Sequence, residues 1–278
     1  MHEIEIRRLT YETLPEINCC PDGVEVKGSS LRGDLSQTLT WRKKMLDRGM
    51  TGFVAYYEGQ ARGFIEYMPA DVAPIPIDAL GGAVLMCYHW APVDAADEGE
   101  HHREEVRLIQ RVIEETRHRF SGLATMGWAN PVHFPISLLE GVGFRPIQQS
   151  GGIRLMWLGF RAGAVAAQMR PESYEPRDLS SEGLLAIDAA WSSRCPYSIH
   201  NAARLSTVID DLPAGVMQTV RFNAHCLDTR EATTAYCFSP WNWEWTYFNG
   251  EEIPVSEMPS KQIKQRILTT VSDLAGQH

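Results

Sequence analysis

An almost continuous apolar run, residues 83–91 (AVLMCYHWA), is the feature that most restricts the fold of this chain. Such a run is typical of a strand that is buried on both faces at the centre of a sheet. The next patterned segment, residues 106–120, places its apolar side chains at helical spacing and predicts an amphipathic helix. A doubly buried strand followed by a covering helix indicates a fold of the α/β or α+β class.

The segments on either side of this strand predict the rest of one sheet. Residues 52–58 and 61–68 are predicted as the two strands of a hairpin, with Gly59 and Gln60 as its two-residue turn. Further strands are predicted at residues 2–9, 123–128 and 152–160, and further helices at residues 35–48 and 136–142.

The length of the chain predicts more than one folded unit. At roughly 150 residues per domain, 278 residues correspond to about two domains. Residues 161–176 are rich first in Ala and Gly and then in Pro and Glu, which predicts a linker. We therefore expect one domain over residues 1–165 and a smaller one over residues 166–278.

Composition excludes several classes of protein. The net charge of −9, from 26 basic and 35 acidic residues, argues against a nucleic-acid binder and against a protein of anionic membrane surfaces. No apolar run reaches about 18 residues, and the first residues lack the apolar region of a signal peptide. Six cysteines are too few for a disulfide scaffold, so we expect reduced thiols and a cytoplasmic location.

Three local patterns in the first half resemble one enzyme family. They are the hairpin of residues 52–69 (GFVAYYEGQARGFIEYMP), the central strand with its following helix, and the segment from Asn130 to the Gly143-Phe144 pair. Together they resemble the GNAT superfamily of acyl-CoA N-acyltransferases. The resemblance implies a mixed central sheet and transfer of an acetyl or other acyl group from CoA to a small amine.

The same resemblance implies where acyl-CoA would bind. In that family the fourth strand splays away from the fifth, and the pantetheine arm lies in the gap, paired with the backbone. The edge formed by Met86, Cys87, Tyr88 and Trp90 would then face the arm, and Asn130 would belong to the same site. The predicted partner is a small-molecule substrate, no nucleic acid or membrane is expected, and a homodimer is left open.

The predicted diphosphate position departs from the family pattern. The glycine-rich loop is replaced by residues 100–105 (EHHREE), and residues 94–105 carry six acidic residues against Arg103 alone. Arg103 could contact one phosphate at the start of the following helix. A solvated acidic helix start and a metal or other ligand site remain alternatives.

Leu139 stands where the family often has a tyrosine that protonates the leaving thiolate. Glu66 or His89 is a candidate base, and Tyr67, Tyr88 or Cys87 is a candidate acid in its place. Both tyrosines could instead be packing residues of the sheet, and Cys87 an inert core thiol. Cys87 and His89 alternate onto one strand face, but two ligands do not define a metal site, so no metal is predicted.

The second half resembles a thioredoxin-like domain. Residues 183–191 predict a strand, after which Cys195-Pro196-Tyr197-Ser198 enters a helix, as in a glutaredoxin-like active-site turn. A cysteine at a helix N-terminus has a stabilised thiolate, and Arg194 would add to this. The remaining elements are predicted as a strand at 217–223, a helix at 230–235, a hairpin across Asn249 and Gly250, and a helix at 261–274.

This order of domains resembles a small group of bacterial proteins with a YoaP-type C-terminal domain. Without a second cysteine in the turn, Cys195 is either a monothiol, with Cys226 or Cys237 as a distant resolving thiol, or a relic of the fold. The adjacent Cys19 and Cys20 are incidental or a soft-metal site.

Three functions follow as hypotheses. The first is an acyltransferase that uses acetyl-CoA or another acyl-CoA. The second is a repurposed scaffold of the same fold that binds or converts a different small ligand. The third is a thiol-dependent redox or electrophile-handling activity of Cys195.

Overall fold

The computed structural model describes residues 4–17, 30–90, 98–129, 133–239 and 244–276, with the side chains of these residues except 30–34, 90 and 98–104. They divide into two compact units. The first comprises residues 39–170 and the described segment 4–17, and the second comprises residues 171–276 and 30–38. Among the described helices, none is both long enough and apolar enough to cross a membrane.

The first unit contains most of the strands. Its elements in chain order are β1 (Glu5–Arg8), the C-terminal part of α1 (Ser30–Asp47), β2 (Thr51–Tyr57), β3 (Gln60–Pro69), β4 (Ile77–Asp78), β5 (Ala83–Trp90), α2 (Glu98–Thr116), β6 (Gly122–Trp128), α3 (Ile136–Gly141), β7 (Arg145–Ser150), β8 (Ile153–Gly159) and β9 (Gln168–Met169).

Seven of these strands form one sheet in the order β1-β2-β3-β5-β6-β8-β7. Every neighbouring pair is antiparallel except β5 and β6, which run parallel and are joined by the crossover helix α2. The mixed central sheet expected for the first half is therefore confirmed. The two short strands β4 and β9 pair separately.

The alternation of strand side chains sorts this sheet into two buried faces. On one face Ile65, Tyr67 and Leu85 pack with Leu108 and Val112 of α2. The opposite face holds a smaller cluster, formed by residues of the strands and of the N-terminal segment. Its buried members are Leu9, Leu14, Ile17, Val54, Tyr56 and Phe64. Leu39 and Leu46 of α1 pack against it. Burial on both faces accounts for the continuous apolar run of β5.

The β2–β3 hairpin turns one residue earlier than its sequence predicts. Tyr57 pairs with Gln60, so the two turn residues are Glu58 and Gly59. Their φ angles of 50° and 77° both lie in the left-handed region, as a two-residue turn of the primed type requires. The predicted turn at Gly59 and Gln60 is therefore wrong by one position.

Other elements of the first unit also differ from the predictions: helix α1 begins at Ser30 rather than at residue 35, and the short strands β4 and β9 are not predicted. Helix α2 begins at Glu98 rather than at Val106. Its first turns are polar and have no hydrophobic periodicity, so the sequence pattern does not predict them as helical. Glutamate and arginine nevertheless favour helices, which accounts for the earlier start. Strand β7 is not predicted, since it is an edge strand whose largely exposed residues do not alternate.

The second unit has a four-stranded sheet with helices. Its elements are β10 (Leu185–Trp191), α4 (Pro196–Asp210), α5 (Ala214–Met217), β11 (Val220–Cys226), α6 (Arg230–Ala235), β12 (Trp245–Phe248), β13 (Glu251–Glu252) and α7 (Ser260–Ala275). The strand order is β11-β10-β12-β13. Strand β10 is parallel to β11 and antiparallel to β12, and β12 is antiparallel to β13.

One face of this second sheet packs on α4 and α7, where Leu205, Ile263 and Ile267 meet Leu185 and Ile187. Helix α4 begins at Pro196 and the last hairpin turns at Asn249 and Gly250, both as predicted. Strand β11 begins three residues later than predicted because residues 214–217 form a short helix.

The hairpin turn provides a test of backbone strain. We expect Gly59→Ala to lower the free energy of unfolding by about 1 kcal/mol, because a Cβ at φ 77° is strained even though nothing lies within 4 Å of it. Gly141→Ala is the matched control: its Cβ also meets nothing, but the residue is helical, so the free energy should rise by about 0.5 kcal/mol. Urea denaturation measures both, and equal losses in the two variants would contradict the turn assignment.

Candidate functional site in the first unit

The two central parallel strands part soon after they meet. Pairing between β5 and β6 is confined to Ala83 with Leu123 and Val84 with Ala124. Just beyond, the Thr125 hydroxyl donates to the Leu85 carbonyl oxygen at 3.3 Å. Among the described residues, no backbone hydrogen bond joins the strands past this point. We call the space between residues 86–90 and 125–128 the β5–β6 gap.

Strand β5 is irregular at the start of this gap. Cys87 pairs with Glu66, but Leu85 pairs with Tyr67, so Met86 has no partner on β3 and forms a bulge. A bulge re-aims the side chains beyond it and occurs frequently beside binding sites. Of the residues predicted to face a cofactor, Met86, Cys87 and Tyr88 thus lie along the edge that borders the gap.

Tyr88 is the most unusual side chain at this edge. It is 6% exposed and its ring stacks on Phe134, with ring centroids 5.3 Å apart. Its hydroxyl is shielded from solvent. Burial raises the pKa of Tyr88, and the charge of the Glu105 carboxylate on α2 and a hydrogen bond with it raise that pKa further. The hydroxyl therefore stays protonated.

Tyr67 is fully engaged. Its hydroxyl donates to Glu115 Oε1 at 2.8 Å, and Arg8 donates to both oxygens of the same carboxylate. Burial and the Glu115 carboxylate raise the pKa of Tyr67. Burial of Glu115 acts to raise its own pKa, but hydrogen bonds from Arg8 and Tyr67 outweigh it and lower that pKa. This network ties β1 and β3 to α2.

Glu66 lies on the opposite face of the sheet from Tyr67. It is fully buried and pairs with Arg42 of α1, whose Nε lies 2.6 Å from Glu66 Oε1. The Arg42 guanidinium also lies over the Phe64 ring, 4.8 Å from its centroid. A buried, paired carboxylate is strongly bound to its partner, so removal of either residue would leave an uncompensated charge.

The predicted catalytic residues of the first unit are thus divided between two faces. His89 is the β5 partner of Phe64, and their ring centroids are 6.4 Å apart on the face that holds Glu66. Tyr67 and Tyr88 lie with the core of the other face. The structure does not bring Glu66 and Tyr67 together into one constellation. Leu139, in the position of the family tyrosine, is fully buried in the core.

Several predicted positions have no described side chain. Trp90 ends β5 and Arg103 lies within α2, but only their backbones are described. Asn130, Cys19 and Cys20 lie outside the described residues. Residues 100–105, which the family pattern aligns with a glycine-rich loop, belong to α2, whose first residue is Glu98.

Sequence reasoning missed Glu105 as the neighbour of Tyr88, although a signal existed. Leu108, Ile109 and Val112 form the buried stripe of α2, and residue 105 precedes the first two by three and four positions. Helical spacing therefore places Glu105 on the same side of the helix. The pairing of Glu66 with Arg42 has no such local signal, because 24 residues separate the partners.

In the second unit, Cys195 is the N-cap of α4. Its carbonyl oxygen accepts hydrogen bonds from the Ser198 and Ile199 N–H groups, at 3.1 and 3.2 Å. The side chain is half-buried and forms no disulfide. Arg194, beside it, is 5% exposed. Gln37, which belongs to the same unit, donates to the Ser193 hydroxyl at 3.2 Å.

An acidic residue links this turn to a second cysteine. Asp228 Oδ1 accepts hydrogen bonds from the Ser193 N–H at 2.6 Å and from the Ser192 hydroxyl at 3.2 Å. Burial, together with Asp228, raises the pKa of Cys226 to about 12. Cys226 is consequently a protonated, weakly nucleophilic thiol at neutral pH.

A second carboxyl group, that of Glu244, lies near the start of α4. Burial raises the pKa of Glu244, and Asn201 Nδ2 donates to its Oε1 at 2.7 Å. Arg204 in turn donates to the Asn201 side-chain oxygen at 3.0 Å. Among the described residues of the chain, no group of three or more potential ligands is arranged to hold a metal ion.

Comparisons with known proteins found similar chains only among solved structures. No protein-family model matches the chain, and no curated protein matches it. A GNAT family acetyltransferase from Brucella melitensis, solved in complex with acetyl-CoA, is 16% identical, with 62% of this chain and 93% of that chain covered and a TM-score of 0.39. The PaiA N-acetyltransferase from Thermoplasma acidophilum, solved with coenzyme A, is 17% identical, covers 56% and 99%, and has a TM-score of 0.41.

A third neighbour is the ribosomal-protein-alanine N-acetyltransferase from Brucella melitensis, 20% identical, with 59% and 99% covered and a TM-score of 0.39.

The hydrogen bond from Tyr67 predicts the effect of removing its hydroxyl. Tyr67→Phe removes a hydrogen bond to a charged group and should lower the free energy of unfolding by about 1.5 kcal/mol. Urea denaturation of the full chain measures the change. An unchanged free energy of unfolding would contradict a stabilising role for this bond.

Proposed function

We propose that the first unit is an acyltransferase that holds acyl-CoA along the β5–β6 gap and transfers its acyl group to a small amine. The observation that carries this proposal is the separation of β5 from β6 after Val84. Parallel neighbours at the centre of a sheet normally pair along their length, and polar backbone groups left at such an edge need partners. An extended arm that carries amide groups supplies both donors and acceptors.

The position of the irregular strand supports the same ligand. The bulge at Met86 lies where pairing with β6 ends, so the edge of β5 changes direction at the mouth of the gap. Met86, Cys87, Tyr88 and Trp90 are the proposed contacts of the arm, and Arg103 and Asn130 those of the distal part of CoA. His89 is the proposed base; Glu66, paired with Arg42, is proposed to hold the strand in place.

The charge near the start of α2 shapes the expected mode of binding. Residues 94–105 carry a local excess of five negative charges, counted as six acidic residues against Arg103. A diphosphate would be repelled there, and salt screens such repulsion, with a Debye length of about 8 Å at physiological ionic strength. The arm and the acyl group, rather than the phosphates, should supply most of the affinity.

Titration calorimetry with acetyl-CoA tests the proposal. We expect saturable binding whose affinity is unchanged or increased between low and physiological salt, because screening removes repulsion from residues 94–105. Hydrogen exchange should slow at residues 86–89 and 125–128 when acetyl-CoA is present, while the β2–β3 pairing stays unchanged. Acetyl-pantetheine is the control ligand without phosphates. No binding of either compound at millimolar concentration would refute the proposal.

We also propose a second activity, in which the second unit is thioredoxin-like and Cys195 is a reactive monothiol. The favouring observation is the N-cap position of Cys195 on a helix of 15 residues, directly after a central strand. Peptide N–H groups at that end stabilise a thiolate. The strand order β11-β10-β12-β13 supports the likeness to that fold.

Alkylation kinetics test this second proposal. With iodoacetamide, the Cys195 sulfur would form a bond to carbon while iodide leaves and the thiol proton passes to the buffer. We expect Cys195 in the intact chain to react about tenfold faster at pH 7 than a free cysteine peptide. Cys226 is the internal control and should react far more slowly. A Cys195 rate no higher than that of the peptide would overturn the assignment.

A further inference from the structure

We infer that residues 173–177 form a strap across the sheet of the second unit, which is fastened at neutral pH and released when His225 takes up a proton. The strap lies on the face of that sheet that α4 and α7 do not cover. The inference is independent of both proposed activities. It rests on the register of the strands, the ring contacts of His225 and the hydrogen bonds at the two ends of the strap.

Strand alternation places His225 on this face. Ile187 packs with the helices on the covered face, so Ala190, three positions along β10, points to the other. Ala190 pairs with His225 on β11 and with Trp245 on β12. The three residues thus form one row across the sheet, and Ala190 and Trp245 are buried there together with Phe238.

Both ends of the strap are tied down by hydrogen bonds. At the first end, the Ser173 N–H donates to the Cys237 carbonyl oxygen at 2.8 Å, and the Cys237 N–H donates to the Ser173 hydroxyl at 3.2 Å. At the other end, the Arg177 N–H donates to Asp188 Oδ2 at 2.8 Å, and Arg177 Nη2 donates to Asp188 Oδ1 at 2.6 Å. Asp188 is only 1% exposed, so this end is anchored to a buried carboxylate of β10.

Between its two ends, the strap rests on the His225 ring. Tyr174 lies with its ring centroid 5.0 Å from that of His225 and 4.1 Å from that of Phe238. Tyr236 covers the imidazole from another side, at a centroid distance of 4.2 Å. These contacts enclose His225 Nε2, which is inaccessible to solvent and has no hydrogen-bond partner among the described residues.

This enclosure suits a neutral imidazole and not a charged one. An imidazolium carries an N–H donor on both ring nitrogens. At His225 one of these donors would be buried without an acceptor, which costs free energy. The protonated ring is therefore favoured outside the cluster, and its departure removes the surface on which Tyr174 packs.

The charges around His225 act in opposite directions. Burial lowers the pKa of His225 below its ordinary value of 6.5, the Asp188 carboxylate acts to raise it, and the Arg177 guanidinium acts to lower it. Glu172 and Glu175, close to Tyr174 in the chain, are exposed to solvent. Since burial outweighs the attraction of Asp188, His225 is neutral at pH 7 and the strap is fastened.

Linkage gives the direction and the limit of the pH effect. In the released state His225 is exposed and has its ordinary pKa, so the released state binds more protons than the fastened one. The strap is therefore fully stable above pH 6.5 and weakens as the pH falls below that value. One proton of ordinary pKa can raise the population of the released state at most about thirtyfold between pH 7.5 and pH 5.0.

Amide hydrogen exchange of the full chain, followed by NMR, tests the inference. Protection factors, which are corrected for the intrinsic pH dependence of exchange, should fall about tenfold for the Tyr174 and Arg177 amides between pH 7.5 and pH 5.0. The Leu227 N–H, which donates to the Trp191 carbonyl oxygen at 2.7 Å in the same sheet, is the internal reference and should stay equally protected.

Two variants separate His225 from other titrating groups. His225→Phe keeps an aromatic ring in the cluster but cannot take up a proton, so the loss of protection at pH 5.0 should disappear. His118→Gln is the matched control, because His118 is exposed and lies in the first unit, and it should retain the full loss. Thermal melting establishes that each variant is folded.

Three results would overturn the inference. They are equal protection of the strap at both pH values in the wild-type chain, the same loss of protection in His225→Phe, and a loss at Leu227 as large as that in the strap. NMR titration of the His225 imidazole provides a further measurement that needs no variant. A His225 pKa of 6.5 or higher would also refute the strap mechanism, even if His225→Phe did not fold.

Discussion

The parting of β5 from β6 is the constraint on which the rest of the first unit depends. A parallel pair at the centre of a sheet usually continues its hydrogen-bond ladder, yet here it stops after Val84 and Ala124. The sheet stays intact because both strands are anchored on their other sides, β5 by β3 and β6 by β8, along nearly their whole lengths. Those antiparallel ladders hold the two strands in place on either side of the gap.

Strand alternation then decides which side chains can cooperate. Glu66 and Tyr67 are neighbours in the chain, but one pairs with α1 and the other with α2, on opposite faces of the sheet. The bulge at Met86 places Tyr88, rather than Cys87, on the face covered by α2. The polar residues near the central strand therefore do not all belong to one candidate site. The fold separates them into structural anchors, Glu66 with Arg42 and Tyr67 with Glu115, and Tyr88, a buried tyrosine beside the gap.

Periodic patterns in the sequence predicted most of the helices and strands. They could not predict which side chains from distant segments would contact each other. The buried strand β5, the hairpin β2–β3 and the helix that begins at Pro196 all follow from local composition. The start of α2 does not follow from local composition, because residues 98–105 contain no periodic apolar side chains. Only the helix propensity of the individual residues favours a helix there. Arg42 has no local mark of its pairing with Glu66, and the edge strand β7 lacks alternation. The chemistry of the site depends on contacts between distant segments, which single-sequence patterns do not encode.

The extension of α2 changes the meaning of the acidic segment. If residues 100–105 formed a loop, their carboxylates would surround the place of a diphosphate. They lie instead within a helix, and residue 105 precedes the buried Leu108 and Ile109 by three and four positions, which places Glu105 on the side that faces the sheet. There its carboxylate meets Tyr88. The carboxylate that the family pattern assigns to a phosphate-binding loop thus belongs to the contact between α2 and β5.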